Sequence, residues 1–222
     1  MLQILKDVFS DSLLSGILAF KGGTCAMFFH ALPRFSTDLD FNLLDPTKQE
    51  EVFEKMKTIV LKYGKIDDEA VKFYGPLIVL DYGYGERRLK IEISNRTFPD
   101  HYQTQDYLGI NMRVMVVEDM FAHKLCALLD RTEMTSRDVF DCWFFLDKGT
   151  AINRNIVESR MGMPLEKYVS KCADAVSEVS EASLVQGLGE LADAKTRVFI
   201  KTKLKGELVS LLQFFSKFPV CV

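Results

Sequence analysis

The chain has 222 residues, of which 48% are hydrophobic and 27% are charged. A chain of this length buries enough apolar surface for one substantial core, or for a catalytic domain with a helical second lobe. With a formal net charge of −3, the chain lacks the strongly positive surface that broad nucleic-acid binding requires. Any contact with a nucleic acid would therefore have to use a local basic patch.

Composition also argues against export and membrane insertion. Residues 1–16 mix charged and apolar positions, whereas a signal peptide needs a basic start followed by an unbroken apolar run. The apolar runs all fall short of the roughly 18 residues that a membrane-spanning helix needs. The five cysteines lack the close spacing of a zinc site. We therefore expect a protein of the cytoplasm, with reduced thiols and no membrane partner.

The first part of the chain predicts alternating helices and strands. Apolar residues recur at helical spacing over 2–14, and a short apolar run at 17–20 predicts a buried strand that enters a turn. Residues 24–32 predict a helix, and it must be short because the proline that follows at once would end it. Residues 38–43 alternate polar and apolar side chains like a half-buried strand, and 47–63 return to helical spacing.

Two further apolar runs, near 70–82 and 88–94, predict a β-hairpin whose turn contains Gly83, Tyr84 and Gly85. Residues 95–111 look irregular, and 112–116 predict one more short strand. This first part of the chain therefore carries all of the predicted strands.

The rest of the chain predicts helices alone, over 117–130, 136–147, 152–180 and 196–216. The expected fold class is therefore α+β, with a mixed sheet flanked by helices followed by a C-terminal helical bundle. We expect an α/β domain over 1–115 and a helical domain over 116–222 that completes an active-site cleft.

Chemistry is concentrated in residues 21–44, KGGTCAMFFHALPRFSTDLDFNLL. Side chains alternate faces along a strand, so Asp38 and Asp40 point to one side while Leu39 and Phe41 point to the core. The two aspartates lie about 6.6 Å apart at Cα, which suits shared carboxylate ligation of two Mg²⁺ ions. Backbone N–H groups of the turn at 22–24 could hold a phosphate at a helix N-terminus.

Each of these features alone has a structural explanation. A Gly-Gly turn after a strand is common, and any strand with one solvent-facing side can carry two aspartates. The order in which they occur within about twenty residues is more specific: strand, Gly-Gly-Thr, short helix, Arg34-x-Ser36, and then Asp38-x-Asp40.

This order resembles the nucleotidyltransferases of the polymerase-beta-like superfamily, and within it most closely the AbiEii/AbiGii toxin family. The resemblance implies an N-terminal nucleotidyltransferase fold, and Asp38 and Asp40 as catalytic metal ligands. It assigns phosphate or nucleotide binding to the turn, which comprises Gly22, Gly23 and Thr24. It assigns the same role to the Arg-x-Ser segment that precedes the aspartates, through Arg34 and Ser36.

The family also has a third carboxylate on a later strand, and Glu92 in LKIEIS matches it. Glu92 lies between two isoleucines and shares a face with Lys90 and Ser94. It would be a metal ligand, or a general base that activates an attacking hydroxyl. The alternative is an ordinary solvent-facing glutamate on a strand.

A second match to the family lies in 118–146, where Asp119 is followed five residues later by Lys124. Lys124 falls on an apolar helical stripe, an unusual place for a charge unless it faces a site. It would neutralise nucleotide phosphates as a catalytic residue, although a snorkelling lysine is the alternative. The family's downstream catalytic aspartate is Asp138 or Asp141, and we favour Asp138.

The resemblance implies transfer of a nucleoside monophosphate from an NTP to an acceptor hydroxyl, with two Mg²⁺ ions as cofactor. It also implies a bacterial toxin of a toxin–antitoxin system, with tRNA or another RNA as acceptor and a cognate antitoxin as partner. Two alternatives stay open: a nucleotidyltransferase that modifies a small molecule such as an antibiotic, and a non-catalytic module that binds nucleotide or protein.

Overall fold

The computed structural model describes residues 1–83, 85, 87–188 and 191–222, which form two compact units. Two short segments belong to the second unit although their neighbours in sequence belong to the first. The sheet unit comprises Met1–Ala31, Ser36–Thr97 and His101–Val116. The helical unit comprises Leu32–Phe35, Phe98–Asp100 and Val117–Val222.

A seven-stranded mixed sheet organises the sheet unit. Its strands are β1 (Leu18–Lys21), β2 (Asp38–Leu43), β3 (Lys65–Lys72), β4 (Gly75–Asp81), β5 (Leu89–Ser94), β6 (Tyr102–Tyr107) and β7 (Ile110–Met115). Their spatial order is β3-β4-β5-β2-β1-β7-β6. The pairs β2–β5 and β1–β7 are parallel, and the other neighbours are antiparallel. Strand β2 is therefore held by hydrogen-bonded neighbours on both sides.

Helices pack on this sheet through apolar residues at helical spacing. The Phe9 ring lies 6.3 Å from the ring of Phe41, which is fully buried on β2. This contact confirms that Phe41 points to the core. The helices of the unit are α1 (Leu2–Ser10), α2 (Ser12–Ile17), α3 (Gly22–His30) and α4 (Gln49–Val60), with a 3₁₀ turn at Pro46–Lys48.

The prediction of one helix over 2–14 is wrong, because Asp11 separates α1 from α2. Asp11 has extended backbone angles, and its carboxylate accepts hydrogen bonds from the N–H groups of Leu13 (2.9 Å) and Leu14 (3.0 Å). An aspartate at this position satisfies donors that a new helix otherwise leaves open, so it begins a second helix.

Strand β3 was not predicted, and β6 lies within residues that the sequence indicated to be irregular. Both are the edge strands of the sheet, and most of their residues are exposed or only half-buried. They therefore lack the alternation of apolar and polar residues that marks a strand with one buried face. The predicted hairpin is present as antiparallel β4–β5. Tyr84, in its predicted turn, lies outside the described residues.

The helical unit is built around buried aromatic residues. The ring of Phe121 lies 5.5 Å from Phe145 and 6.2 Å from Phe215. Its helices are α5 (Val117–Asp130), α6 (Ser136–Asp147), α7 (Arg154–Met161), α8 (Leu165–Glu178), α9 (Glu181–Leu188), α10 (Ala194–Thr202) and α11 (Leu204–Phe215).

The two longest predicted helices are each divided. Residues 152–180 contain α7 and α8, because Gly162 ends α7 with a left-handed backbone (φ 64°) and Pro164 follows it. Residues 196–216 contain most of α10 and all of α11, which meet at Lys203. The fold class is α+β, as predicted, with a mixed sheet flanked by helices and helices at the C-terminus. In the described part of the chain, every helix is too short or too polar to cross a bilayer.

Replacing Asp11 with alanine should lower the free energy of unfolding by about 1 kcal/mol, because two N–H groups of α2 lose their acceptor. Chemical denaturation followed by circular dichroism measures the change. Asp11→Asn is the matched control, because asparagine keeps the cap and loses only the half-exposed ion pair with Lys55. Equal losses in the two variants would contradict a capping role.

Candidate active site

Strand β2 carries the two aspartates that the sequence singles out. Leu39 and Phe41 are fully buried, whereas Asp38 and Asp40 are half-buried. The alternation predicted from the sequence is therefore present, and both carboxylates lie on the face of β2 opposite the core.

The third predicted carboxylate is brought beside this pair by β5. In the parallel pairing of β2 with β5, Asp40 is the direct partner of Glu92, and Asp38 is the direct partner of Lys90. Partners on neighbouring strands share a face of the sheet and lie about 4.8 Å apart. Asp38, Asp40 and Glu92 therefore occupy adjacent positions on one face of the sheet.

Glu92 has a cation in contact. Its Oε2 accepts a hydrogen bond from Lys90 Nζ at 2.6 Å. Burial by itself would raise the pKa of Glu92, but the ion pair with Lys90 and the charges of Lys21 and Arg96 outweigh it, so the pKa lies below its ordinary value. Glu92 is thus ionised at neutral pH and able to act as an anionic ligand or proton acceptor.

The Gly-Gly-Thr segment forms the first turn of α3 rather than a turn before it. Gly22 has φ 82°, and a Cβ built on it would lie 2.9 Å from both Cβ and Cγ of Asp40. A glycine is required here for two reasons: the backbone angle and the close approach of Asp40. The N–H groups of a first helical turn have no acceptor within the helix, so those of 22–24 are placed to bind an anion.

The other residues predicted to bind phosphate near β2 are buried. Gly23 is buried, Thr24 is fully buried, and Ser36 is 3% exposed. The Thr24 hydroxyl donates to the backbone carbonyl of Asp38, so it joins α3 to the start of β2. This bond positions the aspartate strand against the first turn of α3.

The donor set fits a hard divalent cation, because three carboxylates at adjacent positions supply the oxygen ligands that Mg²⁺ prefers. In the structure Glu92 is held by Lys90 rather than directed towards the aspartates' carboxylates alone. Among the residues that the structure describes, no group of three or more His, Cys, Asp or Glu side chains is arranged to hold a metal. Metal binding here would therefore require the carboxylates to adjust.

The remaining predicted residues lie in the helical unit, where Arg34 and Lys124 meet two buried aspartates. Arg34 Nε and one terminal nitrogen each donate to Asp141 at 2.6 Å, in a two-point ion pair. Lys124 Nζ lies 2.9 Å from Asp141 Oδ2 and 3.4 Å from Asp138 Oδ1. Both candidate aspartates therefore contact Lys124, and the bidentate partner of Arg34 is Asp141.

Asp138 has the surroundings of a residue in a first helical turn. Its backbone N–H donates to the Thr135 hydroxyl, and its carboxylate accepts from that hydroxyl at 2.7 Å. Arg131 Nε lies 3.2 Å from the same carboxylate. The side chain is 2% exposed, so these groups hold it in one orientation beside Lys124.

Opposite charges decide the protonation of this cluster. Burial alone would raise the pKa of Asp141, but Lys124 and Arg34 outweigh it and hold the pKa below its ordinary value. Burial alone would lower the pKa of Lys124, but Asp141 and Asp138 outweigh it and hold that pKa above its ordinary value. Both partners are therefore charged at neutral pH.

Sequence reasoning missed the pairing of Arg34 with Asp141, which are 107 positions apart. One sequence carries no signal for a contact between segments so distant. Asp119, the acid that begins the second family match, is fully buried and accepts a hydrogen bond from the Asn153 side chain at 2.7 Å. Asn153 in turn caps α7, so Asp119 helps to anchor the start of that helix.

The chain matches a family model described as nucleotidyl transferase AbiEii toxin, type IV toxin–antitoxin system, over residues 3–187. The chain belongs to the AbiEii family. It is therefore a nucleotidyltransferase, as the sequence predicted. Membership of a type IV toxin–antitoxin family implies a nucleotide substrate and a cognate antitoxin. No curated protein matches the chain.

Solved structures share the fold of this AbiEii-family chain. JHP933 from Helicobacter pylori aligns with 20% identity and a TM-score of 0.55, over 97% of this chain and 89% of its own. A candidate nucleotidyltransferase from H. pylori aligns with 21% identity and a TM-score of 0.57, over 97% and 92%. An antigenic nucleotidyltransferase-like protein from Paracoccidioides brasiliensis aligns with 11% identity and a TM-score of 0.50, over 87% and 95%.

Replacing Gly22 with alanine should reduce nucleotidyl transfer by the AbiEii-family protein about a hundredfold or more. The new Cβ collides with Asp40 and the backbone angle becomes strained, so the carboxylate is displaced from its position. Initial rates of label transfer from an NTP measure the effect. Gly16→Ala is the control, because its Cβ would meet nothing within 4 Å. Unchanged transfer in Gly22→Ala would contradict this account of the glycine.

Replacing Asp141 with asparagine should lower the free energy of unfolding by about 3 kcal/mol, because the buried guanidinium of Arg34 loses the carboxylate charge that it contacts at two points. Since the pKa of Asp141 is lowered by folding, its stabilisation is complete above the unfolded value of about 4 and is lost as the pH falls further. The variant should therefore lose less stability than the wild type on acidification.

Urea unfolding at neutral pH and at about pH 3 tests both statements. Asp174→Asn, at an exposed position on α8, controls for the loss of one carboxylate. A neutral-pH loss no larger than that of the control would contradict the structural role of Asp141.

Proposed function

We propose that this protein transfers a nucleoside monophosphate from an NTP to an acceptor hydroxyl, in a Mg²⁺-dependent reaction at Asp38, Asp40 and Glu92. The observation that carries the proposal is the direct pairing of Asp40 with Glu92 beside Asp38, against a first helical turn that begins at Gly22. The carboxylates can bind the metal ion, and the N–H groups of the first helical turn can bind the phosphate that the metal ion contacts.

The carboxylates of Asp38 and Asp40 would hold two Mg²⁺ ions, with Glu92 as a further ligand or as the acceptor of the hydroxyl proton. When bound, Mg²⁺ would neutralise charge on the phosphoryl oxygens of the NTP. The lowered pKa of Glu92 keeps it ionised, which suits a metal ligand and makes it a weak proton acceptor. The N–H groups of 22–24 would orient the phosphate chain for in-line attack.

Lys124 and Asp138 of the helical domain would assist with the nucleotide. Lys124 would neutralise phosphate charge, and the Asp138 carboxylate 3.4 Å away would position its ammonium. Arg34 would act chiefly through Asp141, because its guanidinium is 2% exposed and already bound to that carboxylate. We retain the division into a nucleotidyltransferase domain over 1–115 and a helical domain over 116–222.

Family membership supports the biological part of the proposal. The AbiEii model describes a toxin of a toxin–antitoxin system. We infer a bacterial toxin that acts in the cytoplasm on tRNA or another RNA, and whose effect is countered by its cognate antitoxin. An RNA 3′ end offers the hydroxyl that the reaction requires as acceptor.

Replacing Asp40 with asparagine should reduce transfer of label from α-labelled NTPs to RNA by about a thousandfold or more, because a metal-ligating charge is lost. The assay contains Mg²⁺, each NTP in turn and total RNA. The matched control is Asp68→Asn on β3 of the same sheet, which is exposed and should leave transfer unchanged.

The assay tests the RNA acceptor and the catalytic carboxylates by different outcomes. Label that moves only to small molecules would contradict the RNA acceptor and keep the transferase. Transfer that survives Asp40→Asn undiminished would contradict the assignment of the catalytic carboxylates.

A further inference from the structure

Lys90 lies on the same face as the three proposed metal ligands. It is the direct strand partner of Asp38 on β2, and its Nζ donates to Glu92, two residues further along β5, at 2.6 Å. On the other side of β2, Lys21 is the direct partner of Asp40. Each of the two aspartates therefore has a lysine as a direct strand partner.

In the protein without metal, Lys90 reduces the repulsion between neighbouring carboxylates. Carboxylates this close repel one another when they are charged, and neighbouring ammonium groups reduce that repulsion. The Lys90–Glu92 pair is well formed although both side chains are nearly half exposed, at 45% and 41%. An exposed pair of this kind contributes little to folding, so its main consequence is local: Glu92 has a bound cation before any metal arrives.

We propose that Lys90 is an internal counter-ion that competes with the divalent cation for Glu92. This inference rests on the metal site of the proposed function, and it adds a residue that controls how readily that site fills. Metal binding at Glu92 requires the ammonium to leave, because a monovalent and a divalent cation at contact distance repel strongly. The flexible stem of lysine allows this movement without a change in the strand.

One functional consequence is control over metal loading. With Lys90 on Glu92, the carboxylate face binds a bare divalent cation weakly. An NTP brings its own negative charge, which strengthens metal binding and offers the displaced ammonium new anionic partners. Lys90 therefore favours loading of metal together with nucleotide over loading of metal alone.

Calorimetric titration of the full chain with Mn²⁺, in the absence of nucleotide, tests the proposal. Lys90→Met should tighten Mn²⁺ binding about three- to tenfold, because it removes the competing charge and keeps most of the stem. Lys90→Gln should do the same, and Lys90→Arg should stay within about twofold of the wild type because it keeps a cation. Asp40→Asn should abolish the measured binding, which assigns it to this face.

Lys65→Met is the matched control, because it removes one exposed lysine from β3 of the same sheet. It should leave Mn²⁺ affinity unchanged, and thermal melts should show every variant folded. If the wild type binds Mn²⁺ through Asp40 and neither Lys90→Met nor Lys90→Gln tightens binding beyond Lys65→Met, the competition is overturned and the proposed function stands. If the wild type binds no Mn²⁺ with or without NTP, the metal site itself is overturned, and the role of Lys90 with it.

Discussion

In-register, parallel pairing of β2 with β5 is the constraint on which the candidate site depends. It sets Glu92 beside Asp40, two residues along β2 from Asp38, so three carboxylates share one face of the sheet. That much negative charge is tolerated because lysines flank it, and it is the same charge that makes the face suitable for a divalent cation. The close approach of Asp40 to α3 also explains the glycine at position 22, since no larger residue leaves room for the carboxylate.

The helical unit contains a buried cluster of opposite charges. Arg34 and Asp141 are almost completely buried, and such a pair gains little net stability over well-packed apolar side chains. Its value lies in orientation: Asp141 and Asp138 hold the ammonium of Lys124 in a fixed place, with Thr135 fixing Asp138 in turn. Loss of one member would leave a buried charge without its partner, which costs more stability than replacing the whole cluster with apolar side chains.

Local patterns allowed β2 to be predicted with its observed bounds, because Asp38 to Leu43 alternate polar and apolar residues on a strand with one buried face. Family resemblance added Glu92, Lys124 and the two aspartates of α6. Edge strands β3 and β6 could not be predicted, since neither contains a buried residue and so neither shows the alternation of a half-buried strand. The pairing of Asp40 with Glu92 required the order of the strands, and the Arg34–Asp141 pair required a contact across 107 positions, neither of which one sequence encodes locally.

We propose that Asp38, Asp40 and Glu92 together hold the divalent cation. A crystal structure of the protein with Mn²⁺ and a non-hydrolysable NTP analogue tests it most directly, because anomalous scattering locates manganese without reference to the carboxylates. We expect anomalous peaks about 2.0–2.3 Å from carboxylate oxygens of Asp38 and Asp40, with Glu92 released from Lys90. Manganese bound elsewhere on the chain, with these three carboxylates free of metal, would contradict it.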